Sequence, residues 1–262
     1  NPINPDTFIP WSIPPSDKFE FIPKSLSPLY GDELYDTLTS KQKIDLAKAE
    51  IGQTMYSYSW SESLACLFFY RYLSSFKENT SAEYRYVLLE IFEETCHQQM
   101  FSKALTTLDI TPVPAKFLHR LIGGLSTRFS SPDVVFMSVL AVELVSDMYG
   151  DEIVKQKNIY PVLAKISELH KIEEERHMYF GELLLKHYTE NASLFRRSLY
   201  SMTVCFNLYF MRTLYVRKEI FEKIGLDPKV YFKPSYNNLK IKFAENCMGT
   251  AIDFVSKWNG FN

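Results

Sequence analysis

From Thr39 onward apolar residues recur every three or four positions, the spacing of helices that bury one face. The pattern predicts helices over 40–77, 81–109, 131–150, 158–188, 192–225 and 239–257, with a short one at 115–126. No alternating strand pattern competes with them. Asn79-Thr80-Ser81 offers an N-cap, Thr111-Pro112-Val113-Pro114 stops a helix, and Ser130-Ser131-Pro132-Asp133 starts the next. Residues 1–30 differ: Pro2, Pro5, Pro10, Pro14, Pro15, Pro23 and Pro28 are too many for a regular helix, so this stretch reads as an extended arm around one helical domain, 31–262. Long helices with short connections make the fold class all-α, a four-helix bundle with additional helices.

Two helices carry an acid where the pattern does not ask for one. Ile51 to Tyr70 contains a single charged residue, Glu62, and Val134 to Ser146 contains only Glu143. A carboxylate on so apolar a helix is paired, protonated or bound to a metal, or else sits on an outer face of Ser and Tyr. Glu94-Thr95-Cys96-His97 and Glu174-Glu175-Arg176-His177 each place a carboxylate and an imidazole about one helical turn apart. Alone, either motif reads equally as a solvated glutamate near a core histidine. Glu90 and Glu93 crowd the first motif, and Glu173 and Glu175 read as a solvated flank of the second.

The order of the four sites is more specific than any one of them. Glu62 precedes Glu94 by 32 residues and Glu143 precedes Glu174 by 31. Two helices giving one Glu each and two giving Glu-x-x-His form the ligand set of carboxylate-bridged di-iron or di-manganese bundles. Hard carboxylate oxygens suit the higher oxidation states reached with O2, which favours iron. His170 shares a stripe with Glu174 and His177, at about 0°, 40° and −20° around the helix. From spacing alone its ligation needs a helix distortion or a long reach, and a packing histidine is the alternative. Asp147 is a candidate acceptor for a ligand histidine or a surface acid, while His119 and His187 read as ordinary histidines.

Composition narrows the class. With 29 Lys+Arg against 31 Asp+Glu there is no basic footprint for nucleic acid. The longest uncharged apolar stretch, Ser198 to Met211, is 14 residues, short of a bilayer span. Cys66, Cys96, Cys205 and Cys247 lie far apart with no signal peptide before them, which predicts reduced thiols and a cytoplasmic protein. The 15% aromatic content fits a thick core or an aromatic-walled pocket, and Tyr56, Tyr58, Trp60, Phe68 and Phe69 could serve either.

With these residues in view, the sequence resembles the p-aminobenzoate N-oxygenase-like family of non-haem di-iron enzymes over about residues 55–180. The third histidine ahead of the second motif, His170-x-x-x-Glu174-x-x-His177, is the most specific element. The resemblance implies a ferritin-like bundle and seven ligands, Glu62, Glu94, His97, Glu143, His170, Glu174 and His177, holding two iron ions. It implies O2-dependent oxidation of an amine, chiefly an aryl amine, to hydroxylamine, nitroso or nitro products through a peroxo species. No flavin, nicotinamide or iron–sulfur motif is present, so a reductase or ferredoxin must supply electrons. A homodimer is also implied. Phe8, Ile9, Trp11, Ile13, Phe19, Phe21 and Ile22 of the arm offer apolar surface for pairing, unless the arm folds back on its own body. The alternatives are a di-iron C–H hydroxylase, desaturase or oxidative-cleavage enzyme and, outside catalysis, a ferritin-like iron-binding protein. One departure stands out: the Glu62 helix, from Ile51 to Tyr70, has no Lys or Arg for the carboxylate of an aminobenzoate.

Overall fold

A computed structural model describes residues 2–257, apart from the side chains at positions 246–248 and 255. Two single turns, α1 (Pro5–Phe8) and α2 (Glu33–Asp36), precede α3 (Ser40–Leu73), α4 (Ala82–Thr107), α5 (Phe117–Phe129), α6 (Pro132–Lys155), α7 (Pro161–Thr189), α8 (Leu194–Tyr215), α9 (Lys218–Lys223) and α10 (Pro228–Lys257). Among the described residues the extended pairing is a single bridge between Glu20 and Ile159. The protein is an all-α, ferritin-like bundle.

Local chemistry sets the helix starts. Thr39 and Gln42 form a capping box for α3, the Ser81 hydroxyl accepts from the Tyr84 amide to open α4, and Pro132 and Pro161 occupy the first turns of α6 and α7. α3 pairs with α4 and α6 with α7, the pairs meet across α4 and α7, and α8 lies against α6 and α3. Apolar burial holds this arrangement. Phe68, Phe69 and Phe136 are fully buried, and Phe68 meets Phe136 edge-on with centroids 5.1 Å apart. The α6–α7 approach depends on Gly181, where a Cβ would lie 3.0 Å from Leu140 Cδ2.

The helix expected over 192–225 is broken. Val216 and Arg217 are extended, with φ,ψ of −111°, 116° and −130°, 141°, and α9 follows as a separate element. The cause is tertiary: the buried Arg217 guanidinium donates to the Pro114 carbonyl at 3.3 Å and lies 3.4 Å from Glu219. α10 begins at Pro228, well before the expected 239. The Asp227 carboxylate accepts from the Lys229 amide at 2.9 Å, and the helix continues through Pro234 because it packs on α6, α8 and α9.

The arm is not wholly extended. Pro5 opens α1, where its missing N–H costs nothing, and Asn4 caps the turn. The arm is also folded onto its own chain: Ile9, Phe21, Ile22, Leu26 and Leu29 are buried, the Phe19 and Phe21 rings pack on Tyr160, and the Tyr160 hydroxyl donates to the Ile13 carbonyl. The Ile3 amide donates to Glu173 Oε1 at 3.1 Å, which brings the arm to the centre of α7. Among the described residues, no helix is long and apolar enough to cross a membrane.

Candidate metal centre

The four bundle helices bring all seven expected residues to one point. α3 supplies Glu62, α4 Glu94 and His97, α6 Glu143, and α7 His170, Glu174 and His177, all of them buried. Their donor atoms fall into overlapping groups: Glu62 with His97, His170 and Glu174, then Glu94 with Glu143 and Glu174, then Glu94 with His177 and Glu90. Each group is compact enough to hold one cation, its atoms lying within 4.8 Å of one another.

Two carboxylates reach both sides. Glu174 directs Oε1 at His170 Nε2 (3.3 Å) and His97 Nδ1 (3.4 Å), and Oε2 at His177 Nδ1 (3.0 Å). Glu94 directs Oε2 at His97 Nδ1 (3.9 Å) and Oε1 at His177 Nδ1 (3.6 Å). Glu62 Oε1 lies 3.6 Å from His97 Nδ1 and 3.1 Å from His170 Nε2, closing the first side. Of the two routes open to His170, a helix distortion or a long reach, it takes the second. α7 is continuous, and His170 presents its far nitrogen, Nε2, where His97 and His177 present Nδ1. Tyr58 stacks on the His170 ring at 5.8 Å and Phe101 lies at 5.4 Å, fixing it.

The remaining imidazole nitrogens are used across the bundle. His97 Nε2 pairs with Glu173 Oε2 on α7, and His177 Nε2 pairs with Glu93 Oε2 on α4, both at 2.9 Å. Arg176 holds Glu93 at 2.7 Å. An acceptor on each Nε2 keeps its proton there and leaves the Nδ1 lone pair for a metal. This corrects the reading of Glu173 as a solvated flank: it is buried, whereas Glu175 is exposed as expected. The signal was in the sequence as a doublet, Glu93-Glu94 and Glu173-Glu174, present in both motifs. Glu90 was also passed over. It is buried beside Glu94 and His177 and stands as a fifth carboxylate, and an eighth candidate ligand, of the centre. Of the two readings of Asp147, the contact it makes is that of the surface acid: it accepts from Lys171 at 2.7 Å. His119 donates to or accepts from Thr213, away from any carboxylate cluster.

Electrostatics marks the centre as a site for cations. Burial, and then the neighbouring carboxylates, push Glu62 and Glu143 well above the usual carboxylate range; Glu94 is also raised, and burial takes Glu90 up to about 8. Burial alone would lower His97 and His177, but their carboxylate partners raise both, whereas His170 is driven down to about 3 by burial. Glu174 is lowered because three imidazoles surround it. Glu62 Oε2, Glu90 Oε2, Glu94 Oε2, Glu174 Oε1 and His97 Nδ1 are buried with no hydrogen-bond partner. Orphaned atoms of this kind are costly in a closed protein, and hard oxygens with imidazole nitrogens around one point are the donor set of iron or manganese. The residues therefore fit a pair of such ions.

Comparison with known proteins agrees with this chemistry. A family model described as "P-aminobenzoate N-oxygenase AurF" matches residues 2–242. The chain is 27% identical over 160 residues to "Uncharacterized protein Rv0885" of Mycobacterium tuberculosis H37Rv and to "Uncharacterized protein Mb0909" of Mycobacterium bovis, covering 59% of this chain and 44% of each relative. A third relative, "Uncharacterized protein MT0908" of Mycobacterium tuberculosis, is 30% identical over 113 residues, 41% of this chain and 33% of its own. The chain thus spans less than half the length of the curated relatives it matches. No solved structure matches it.

Proposed function

The chain belongs to the p-aminobenzoate N-oxygenase family, and from that premise we propose that it is an O2-dependent di-iron oxygenase that oxidises the nitrogen of an amine, chiefly an aryl amine. The observation that carries this reading is the crossed pair His97–Glu173 and His177–Glu93 around buried, partnerless ligand atoms. In this reading Glu62, His97 and His170 would hold one iron, Glu143 and His177 would hold the other with Glu90 within reach, and Glu94 and Glu174 lie near enough to serve both. The iron pair would supply the reduction of O2, for which no side chain has the electrons. The chain's own residues do the rest. Glu93 and Glu173 hold the Nε2 protons, Arg176 steadies Glu93, and Tyr58 and Phe101 exclude water beside His170.

Protein made in iron-replete cells should hold close to two irons per chain, and its reduced form should consume O2 faster when an aromatic amine is added. Iron near zero, or O2 uptake indifferent to every amine, overturns the reading. A second reading, oxidation of C–H bonds by the same centre, is favoured by one observation: the cavity that reaches Glu143 offers no group specific for nitrogen.

The same reading includes an arm of residues 1–30 on one domain of 31–262, an external reductase or ferredoxin, and a cytoplasmic setting in which Cys66, Cys96 and Cys205 stay free thiols. The Cys247 side chain lies outside the described residues. It also includes pairing with a second copy. Because Ile9, Phe21 and Ile22 are consumed within the chain, pairing would draw on exposed apolar residues such as Phe117 and Phe129 of α5 and Phe195 of α8. A mass near 30.6 kDa by light scattering would count against it.

A further inference from the structure

A cavity of about 400 Å³ runs between α3, α5, α6 and α8, from a mouth beside Met202 and Phe206 down to Glu143. Its volume is that of a small-molecule site. Its walls are Trp60, Leu64, Val139, Val142, Leu199 and Phe210 with their neighbours, and Glu143 is its one ionisable residue. α5 can roof it so closely because of Gly123, where a Cβ would stand 2.6 Å from Leu64 Cδ1.

Four of the polar side chains along the walls are already engaged. Ser61, Thr127, Ser138 and Asn207 each donate to a carbonyl of their own helix, those of Ser57, Gly124, Val134 and Thr203. The basic side chains that reach the segment around the lining residue Ser130 are engaged too. Arg71 donates to the Ser130 carbonyl at 2.6 Å, and Arg196 holds Asp133 and Ser131. An anion entering this space would lose its water and find no cation, next to a carboxylate at the floor. An alkylammonium would also be stripped of water, with only Glu143, already committed to the centre, to face it.

Resting on the reading of the centre as an amine oxygenase, we propose that this cavity selects an aromatic amine bearing no ionised group, and that it rejects aminobenzoates. An aniline with an apolar para substituent is neutral near pH 7, covers its ring with Trp60 and Phe210, and leads its nitrogen toward Glu143.

The test is calorimetric binding to the iron-loaded full chain of 4-butylaniline and of 4-aminobenzoate. The aniline is expected to bind at least about 100-fold more tightly, the discrimination that an unpaired buried carboxylate imposes. Val139→Phe, which fills the cavity, should abolish aniline binding while iron content stays unchanged. If that variant fails to fold, Leu199→Trp fills the opposite wall. Ser126→Lys, which puts an ammonium at the mouth, should narrow the preference by improving 4-aminobenzoate. Equal or tighter binding of 4-aminobenzoate to the unaltered protein, binding of neither compound, or aniline binding that survives both filling substitutions overturns the inference. Tight aniline binding without oxidation upholds the cavity's selectivity and overturns the amine-oxygenase reading instead, so the two failures are separable.

Discussion

Laid over each other at an offset of 80 residues, the α4 and α7 motifs pair Glu93 with Glu173, Glu94 with Glu174, and His97 with His177. Each pair has the same job in space. Glu94 and Glu174 each lie between His97 and His177, and the two preceding glutamates each pair with Nε2 of the opposite histidine. The same offset sets Glu90 against His170. There the halves part: one side of the centre gains a neutral imidazole beside Glu62 and His97, and the other gains a carboxylate beside Glu94 and His177. The difference teaches that the two sides of the centre are not equivalent. A metal held on the first side would gain a neutral extra donor, and one held on the second an anionic donor that favours higher charge.

The largest effects should come from the positions where the halves agree. His97→Ala and His177→Ala each remove the one Nδ1 ligand of a side, so iron should fall from near two equivalents to one or fewer by metal analysis. Loss in one half only would break the symmetry of the motifs. Next come the crossed acceptors: Glu93→Gln and Glu173→Gln should each weaken metal binding ~10- to 100-fold, the range for residues that orient a metal-bound histidine. Competition with a chelator measures this, and the two variants should agree within a few-fold. His177 and Arg176 keep Glu93 below its usual range despite its burial.

The unlike pair separates the halves. His170→Ala should keep most of its iron, since six of the seven ligands remain, yet lose ~10-fold or more in amine oxidation, the scale for altered surroundings of a metal. Glu90→Gln should show the reverse, weaker iron on one side with a smaller change in the oxidation rate of fully loaded protein. Wild-type oxidation in His170→Ala would reduce that histidine to packing against Tyr58.

What could be read in advance follows the same division. Glu62 and Glu143 were legible because each is the only charge in a long apolar stretch, 51–70 and 134–146, a condition that burial makes intolerable without a partner. The two Glu-x-x-His motifs were legible because ligands one turn apart belong to a single helix. Glu93 and Glu173 were not, because a residue just before a ligand points about 100° away from it, and what it meets depends on the facing helix. His170 is only half legible for a related reason: a helical wheel shows direction but not which ring nitrogen leads. The break at Val216-Arg217 carries neither Pro nor Gly and is fixed by Arg217 reaching Pro114, a partner 103 residues away. The arm's turn at Pro5 was hidden by a rule that holds for helix interiors and not for first turns.

The smallest expected effect tests whether the likeness of the halves extends to how each is anchored. Nine residues before Glu62, the buried Gln53 amide donates to Leu214 O at 2.9 Å and so ties α3 to α8. Ten residues before Glu143, the buried Asp133 accepts from Arg196 Nε at 2.7 Å and from the Tyr200 hydroxyl at 2.5 Å, tying α6 to the same helix. One anchor is neutral and the other is ionic. Burial opposes ionisation of Asp133, but hydrogen bonds from Arg196, Tyr200 and Ser131 outweigh it and lower its pKa from 3.8 to about 2. A depressed carboxylate contributes stability that is complete above its unfolded value and is lost as pH falls from 3.8 through about 2. Discounted for solvent screening, the contribution is about 1–2 kcal/mol. Asp133→Asn should therefore unfold more readily than the unaltered chain in urea at pH 6, and the gap should close as the pH approaches 2. Gln53→Ala should be weaker than the unaltered chain by an amount that does not change over the same range. A gap for Asp133→Asn that is constant with pH would mean that α6 is held by packing and the anchors are alike after all.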